Sequence, residues 1–254
     1  MNKKLCALAI FFMAIIVIAS PAYAAAAGNV LPIPSVSINV GAAENNAQVS
    51  SSIQLMFLVA IISLAPYLIV MLTSFTRIVI VLHFVRNALG TQQMPPNQVL
   101  VGLALFLTLF LMSGTITTIN DTALKPYSAG IITQQEAIDN GLAPIKEFMS
   151  RQAAAKDIQM FANLSGTTGI TPENVPMTVL IPAFILGEIA QGFRFGFIIY
   201  MPFIVVDMVV ASTLMAMGMM MLPPAMISLP FKILLFVVLD GWNLVIEMLV
   251  KSFR

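Results

Sequence analysis

From Val175 to Val250 the chain runs almost without polar relief, and this stretch limits the fold more than any other feature. A small domain cannot hide so many apolar side chains behind a polar surface, so lipid or other protein must cover them. Two further stretches share the character: Ile53 to Leu89, interrupted by Pro66, Arg77, His83 and Arg86, and Val99 to Ile119. Of the 254 residues, 59% are hydrophobic and 9% charged, where soluble domains carry about 25% charged residues. The net charge of +1 gives no basic footprint, and no nucleic-acid partner is expected.

The breaks between the apolar runs predict an all-α membrane-complex protein of two long, kinked helical hairpins. Residues 1–24 read as a signal peptide, with Lys3 and Lys4 ahead of an apolar core and Ala22 and Ala24 at a small-x-small cleavage site; the alternative is a retained anchor helix. Cleavage removes Cys6, the only cysteine, and with it any thiol chemistry or cysteine-based metal site. Residues 25–52 form a flexible exported linker. Residues 53–119 form the first hairpin, with Gly90 ending one arm and Asn97 as N-cap of the next. The first arm, at 1.5 Å per residue, is on the order of 50 Å long, against a bilayer core of about 30 Å.

Residues 120–176 carry six acids and four bases and read as a small helical periplasmic insertion. Thr133 and Glu136 form a capping box, and the helix it starts is expected to break at Gly141–Pro144. Residues 177–254 form the second hairpin, with Pro176, Pro182 and Pro202 as bends or helix starts and a Met-rich loop at its tip. The bases of the first hairpin loop put both loops in the cytoplasm, and the signal peptide puts the mature N-terminus outside. Lys251 and Arg254 fit this orientation poorly.

Charges inside apolar helices are costly and mark contacts with other chain segments. Glu188, Arg194, Asp207, Lys232 and Asp240 are such charges. Glu188 and Lys232, on opposite arms of the second hairpin, are expected to pair within or between subunits, or else to snorkel toward water. Arg77 and Arg86 are nine positions apart, about 180° around a helix, and cannot share one face. An aspartyl dyad of Asp207 and Asp240 lacks the expected surrounding motif, and a single histidine cannot build a metal site. Neither an enzyme, a metal nor a cofactor is expected.

The stretch "GMMMLPPAM", Gly218 to Met226, is the most informative motif. Eight of the seventeen non-initiator methionines fall between Met201 and Met226, where an even spread would give about two. Methionine as packing filler explains Met201, Met208 and Met215. It does not explain Met219, Met220 and Met221, which point in different directions between Gly218, a source of backbone freedom, and Pro223–Pro224, which stop the helix. Apolar residues on a loop need a cover. Several copies around one axis would supply it, and unbranched thioethers would make a dry, deformable constriction. A small-solute or ion channel or transporter is the alternative, although it would place polar groups at its narrowest ring.

Three segments resemble one family: "MLTSFTRIVIVLHFVRNALGTQQMPPNQVLVGLALFLT", "PAFILGEIAQGFRFGF" and "DMVVASTLMAMGMMMLPPAMISLPFKILLFVVLDGWNL". They are similar to FliP, the flagellar type III export-gate family, and to its virulence-secretion counterparts, from about residue 53 onward. Gly187 and Phe195 depart from the usual pattern, and Gly114 stands where many members have proline. The resemblance implies a homo-oligomer of about five copies. FliQ and FliR would complete it, with FlhB, FlhA and the membrane ring of the flagellar basal body nearby in the bacterial inner membrane. It further implies that unfolded flagellar subunits pass through this assembly, that Met219, Met220 and Met221 form its gasket, and that Arg77, Arg86, Arg194, Asp207 and Asp240 serve assembly.

Overall fold

Burial of a single stripe explains the first helix, α1, Phe75–Leu89: Ile78, Val81, Leu82, Val85, Ala88 and Leu89 fall at helical spacing and are all buried. The computed structural model describes residues 56–253, apart from Leu58, 61–62, 65–66, 68–69, Gln92, 168–173 and Met220. The signal-peptide and linker readings, Cys6 and Met220 thus lie outside the described residues. All described residues belong to one unit, Ile53–Arg254. Those described between 56 and 71 are helical.

Gly90 closes α1 in the left-handed conformation, with φ of 73° and its N–H donating to the Asn87 carbonyl. The return helix α2, Asn97–Leu111, is capped by Pro96 rather than Asn97. Asn97 sits one residue inside, where its side-chain oxygen accepts from Arg86. The second arm does not stop at Ile119. It bends by 58° after Leu111 and continues to Ser128 through α3 (Ser113–Ile119), a π-helical turn (Asn120–Leu124) and α4 (Lys125–Ser128). The bend falls where the sequence changes from leucine and phenylalanine to hydroxyl residues. Ser113 donates to the Phe110 carbonyl at 2.8 Å, Thr117 to Ser113 at 2.8 Å and Thr118 to Gly114 at 3.0 Å, back-bonds that bend helices.

In the insertion, α5 (Gln134–Gln152) begins with the predicted capping box, both halves formed. It does not break at Gly141–Pro144; Pro144 lies inside a continuous helix. A mid-helix proline costs about 3 kcal/mol. Here Ile145, Phe148 and Met149 pack into an apolar cluster with α6 (Ala155–Ser165) and with Val179, Leu180 and Phe184. That burial outweighs the lost bond.

The long helix α7, Met177–Ala216, has 40 residues and extends about 60 Å. Pro176 is its N-cap, but Pro182 and Pro202 lie within it and neither starts a new helix. Apolar helices tolerate such prolines where neighbouring groups cover the freed carbonyl. Helix α7 is the axis of the fold: α1, α5, α6 and α8 all pack on it. Gly192 and Gly196, a small-xxx-small pair, let α1 approach closely. A Cβ on Gly192 would meet Ile80 Cβ at 3.0 Å, and one on Gly196 would fall on the Phe84 ring.

The last arm is α8 (Pro224–Val238) and α9 (Gly241–Lys251), with a 64° bend between them. Asp240 makes the bend with φ of 50°, the one described non-glycine residue in the left-handed region. A second core cluster joins α1, α2, α7, α8 and α9 through Leu82, Leu100, Phe203, Phe236 and Leu249. Among the described residues, helix α7 alone is long and apolar enough to cross a membrane, and each of the two bent arms qualifies if taken as one span.

Candidate functional site

The methionine loop is built by its helix ends. Helix α7 terminates in a Schellman motif: Met219 N–H donates to the Leu214 carbonyl and Gly218 N–H to Met215, both at 3.0 Å. Gly218 takes φ of 74°, a conformation that costs a side-chain-bearing residue about 1–2 kcal/mol. Helix α8 restarts with Pro223 as N-cap and Pro224 as its first residue, the position where a missing N–H costs nothing. Met219 is half-buried, whereas Met221 is 99% exposed. Met215, Met217, Leu222 and Met226 around it are exposed as well. A single chain therefore leaves this tip uncovered.

Two charge clusters brace the second hairpin, and neither is the expected Glu188–Lys232 pair. Lys232, nearly buried on α8, donates to Asp207 on α7 at 2.6 Å. The buried Ser228 hydroxyl donates to the other Asp207 oxygen at 2.6 Å. Gly90 of the first hairpin lies beside Leu229 and Lys232, so this cluster sits where the two hairpins meet. The Asp207 carboxylate is thereby committed to two donors.

Glu188 pairs with Arg77 instead. Its residue 188 position lies nineteen residues before Asp207 on one helix, about 28 Å away, so Lys232 bonded to Asp207 cannot reach it. The Arg77 guanidinium is almost wholly enclosed and every donor group is used. Nε donates to Glu188 Oε2 at 3.0 Å, and one terminal nitrogen to Glu188 Oε1 and to Gln152 Oε1 at 3.2 Å. The other donates to the Ser252 carbonyl at 2.8 Å and to its hydroxyl at 3.1 Å. The Phe253 ring lies 3.9 Å from the guanidinium carbon, and Gln152 donates to the Phe253 carbonyl at 3.1 Å. One side chain thus joins the first hairpin, the insertion, α7 and the segment after α9.

Arg86 turns the other way, as its spacing requires, and holds the first hairpin turn through Asn97, the Pro95 carbonyl and His83 Nδ1 at 3.0 Å. Arg194 and Asp240 are exposed; Asp240 accepts from Asn243 at 3.3 Å. Among the described residues no three potential metal ligands cluster. Reading the sequence missed Gln152, Ser228 and Ser252, which carry no pattern of their own, and missed Gly192-x-x-x-Gly196, which does.

Among the described residues, a helical scaffold with one membrane-length helix, Arg77 and Lys232 paired inside the chain and an exposed apolar tip defines an all-α membrane protein. The sequence pattern of the FliP family matches residues 58–249. The chain belongs to the FliP family. The flagellar biosynthetic protein FliP of Bacillus subtilis is 50% identical over 219 residues, covering 85% of this chain and 98% of that protein. Its namesake in Pectobacterium carotovorum is 49% identical over 203 residues, 80% of this chain and 79% of the relative. That of Treponema pallidum is 46% identical over 224 residues, 87% and 83% respectively.

Proposed function

We propose that this chain is one subunit of a flagellar type III protein export gate. About five copies join FliQ and FliR in a closed channel in the bacterial inner membrane, next to FlhB, FlhA and the ring of the basal body. Unfolded flagellar subunits pass through it. The loops face the cytoplasm, and the insertion and mature N-terminus face the periplasm. Met219, Met220 and Met221 from each copy converge into a dry collar that closes behind and around the moving chain. The chain supplies a conduit and no catalytic group.

The observation that carries this reading is the bare tip of the second hairpin. Met221 is fully exposed on a loop held at both ends by rigid helix caps. Apolar side chains fixed in that way gain by meeting copies of themselves. Thioether chains tolerate cargo of any sequence because they re-pack without specific contacts. A channel for ions or small solutes would need polar ligands at this ring, and the stretch from Met219 to Pro224 bears none on its side chains.

The test replaces Met219, Met220 and Met221 together by alanine. Cells carrying the variant should leak small ions under conditions where the wild type does not, while the assembled complex keeps its size on a native gel. Membranes as tight as those of the wild type, with a normal complex present, would refute the collar.

A further inference from the structure

Pairing the charges of the second hairpin leaves two without a counter-charge. Glu188 is bonded to Arg77, Asp207 to Lys232 and Glu247 to Lys251. Among the described residues from Met177 onward, Arg194 on α7 and Asp240 at the α8–α9 bend remain, one cation and one acid. Arg194 has no hydrogen-bond or ion-pair partner among the described residues. Asp240 has only the neutral Asn243 amide, at 3.3 Å. Both are exposed on the single chain.

Their surroundings are alike. Phe197, Ile198 and Met201 lie three, four and seven positions beyond Arg194, share its face of α7 and are exposed. Val237, Val238 and Leu239 lead into Asp240 and are exposed as well. A charge among exposed apolar side chains is costly against lipid. Against a protein surface of opposite charge it fixes which patches meet and in what register. The two groups do not meet within one chain. Leu239 and Gly241, either side of Asp240, pack at the level of Ile199, Pro202 and Phe203, which is five to nine residues along α7 from Arg194, or about 8–14 Å. Each chain therefore presents one apolar patch centred on a cation and another centred on an acid, which suits a contact that repeats from copy to copy. We propose that Arg194 of one copy pairs with Asp240 of the next and sets the register between neighbouring subunits. The pairing presupposes the reading that several copies assemble, and adds which faces meet.

The test uses the full chain in bacterial membranes, with Cys6, the only cysteine, replaced by serine. Two differently tagged copies are made together, one carrying Arg194→Cys and the other Asp240→Cys. Mild oxidation should join the two tags by a disulfide, whereas Arg194→Cys beside Phe106→Cys should give none. Neutral substitutions supply a second readout, because burying one charge without its partner is worse than burying neither. Arg194→Gln and Asp240→Asn should each lower the oligomeric fraction on a native gel about tenfold, and the two together should bring it back to within about threefold of the wild type. Asparagine is chosen at residue 240 because it tolerates the left-handed backbone found there. Losses that multiply in the double variant would overturn the pair, as would an assembled wild type whose cysteine variants give no disulfide; in both cases the export-gate reading stands. A wild type that stays monomeric would overturn both. A loss with Arg194→Gln that Asp240→Asn does not share would assign Arg194 to a lipid phosphate and likewise overturn the pair.

Discussion

Arg77 shows how much a single side chain can organise. Its guanidinium has five N–H donors in a fixed fork, and here they reach Glu188, Gln152 and Ser252. Lysine offers three donors from one point and cannot reproduce the fork. Arg77→Lys and Glu188→Gln should each lower stability by about 3–5 kcal/mol, since either leaves a buried charge without its full set of partners. Thermal unfolding of the full chain in detergent measures this; a change within about 0.5 kcal/mol, the usual range for surface substitutions, would contradict it. The sequence made it plain that Glu188 needs a partner, because an isolated acid in apolar surroundings is too costly to keep. It could not identify the partner. Lys232 and Arg77 were equally available by charge, and only the axial levels of α1 and α8 along α7 decide between them.

At the scale of the element, the helices whose ends carry chemical punctuation were legible. Gly90, Gly218 and the Thr133–Glu136 capping box stop or start helices as their types demand. Prolines were legible only in part: Pro176 and Pro223–Pro224 mark helix starts, whereas Pro144, Pro182 and Pro202 lie within continuous helices. The close approach of α1 and α7 rests on Gly196. Gly196→Ala should cost about 1–3 kcal/mol by overpacking against Phe84, and adding Phe84→Leu should recover part of it. Equal unfolding temperatures for Gly196→Ala and wild type would contradict this contact. The capping box has its own pH dependence. The Thr133 backbone N–H and hydroxyl hold the Glu136 carboxyl below its ordinary value of 4.5. The native pKa is thus lower than the unfolded one, so the contribution is complete above 4.5 and fades as pH falls through the lowered value. Hydrogen exchange at residues 134–138, corrected for its intrinsic rate, should stay constant from neutral pH down to that point and then rise. Glu136→Gln should remove the rise; a wild-type profile flat into strong acid would contradict the capping role.

The whole molecule is two hairpins braced at both ends, by Arg77 at one and by Asp207, Ser228 and Lys232 at the other. Between them α7 gives a continuous strut, and the methionine loop projects past the second brace. If the loops of several copies meet, Met221→Cys should form disulfides between copies in the assembled complex, and a cysteine at exposed Phe106 on α2 should not. Equal yields at the two positions would speak against a shared axis. The all-helical class and hairpin order follow from apolar run lengths and their glycine and proline breaks. The bends at Met112 and Asp240 do not, since hydroxyl back-bonds and a single left-handed aspartate leave little trace in hydropathy. The Arg77 junction carries one more implication, for biogenesis. Its ion pair with Glu188 spans 111 positions, so a ribosome adding about 5–20 residues per second makes the arginine roughly 6–22 s before that counter-charge exists. Throughout this interval the guanidinium lacks its counter-charge, and its neutral partner Ser252, 175 positions away, is made later still. The junction closes only when the last segment is translated, so the native state is completed at its C-terminal end rather than by stepwise settling.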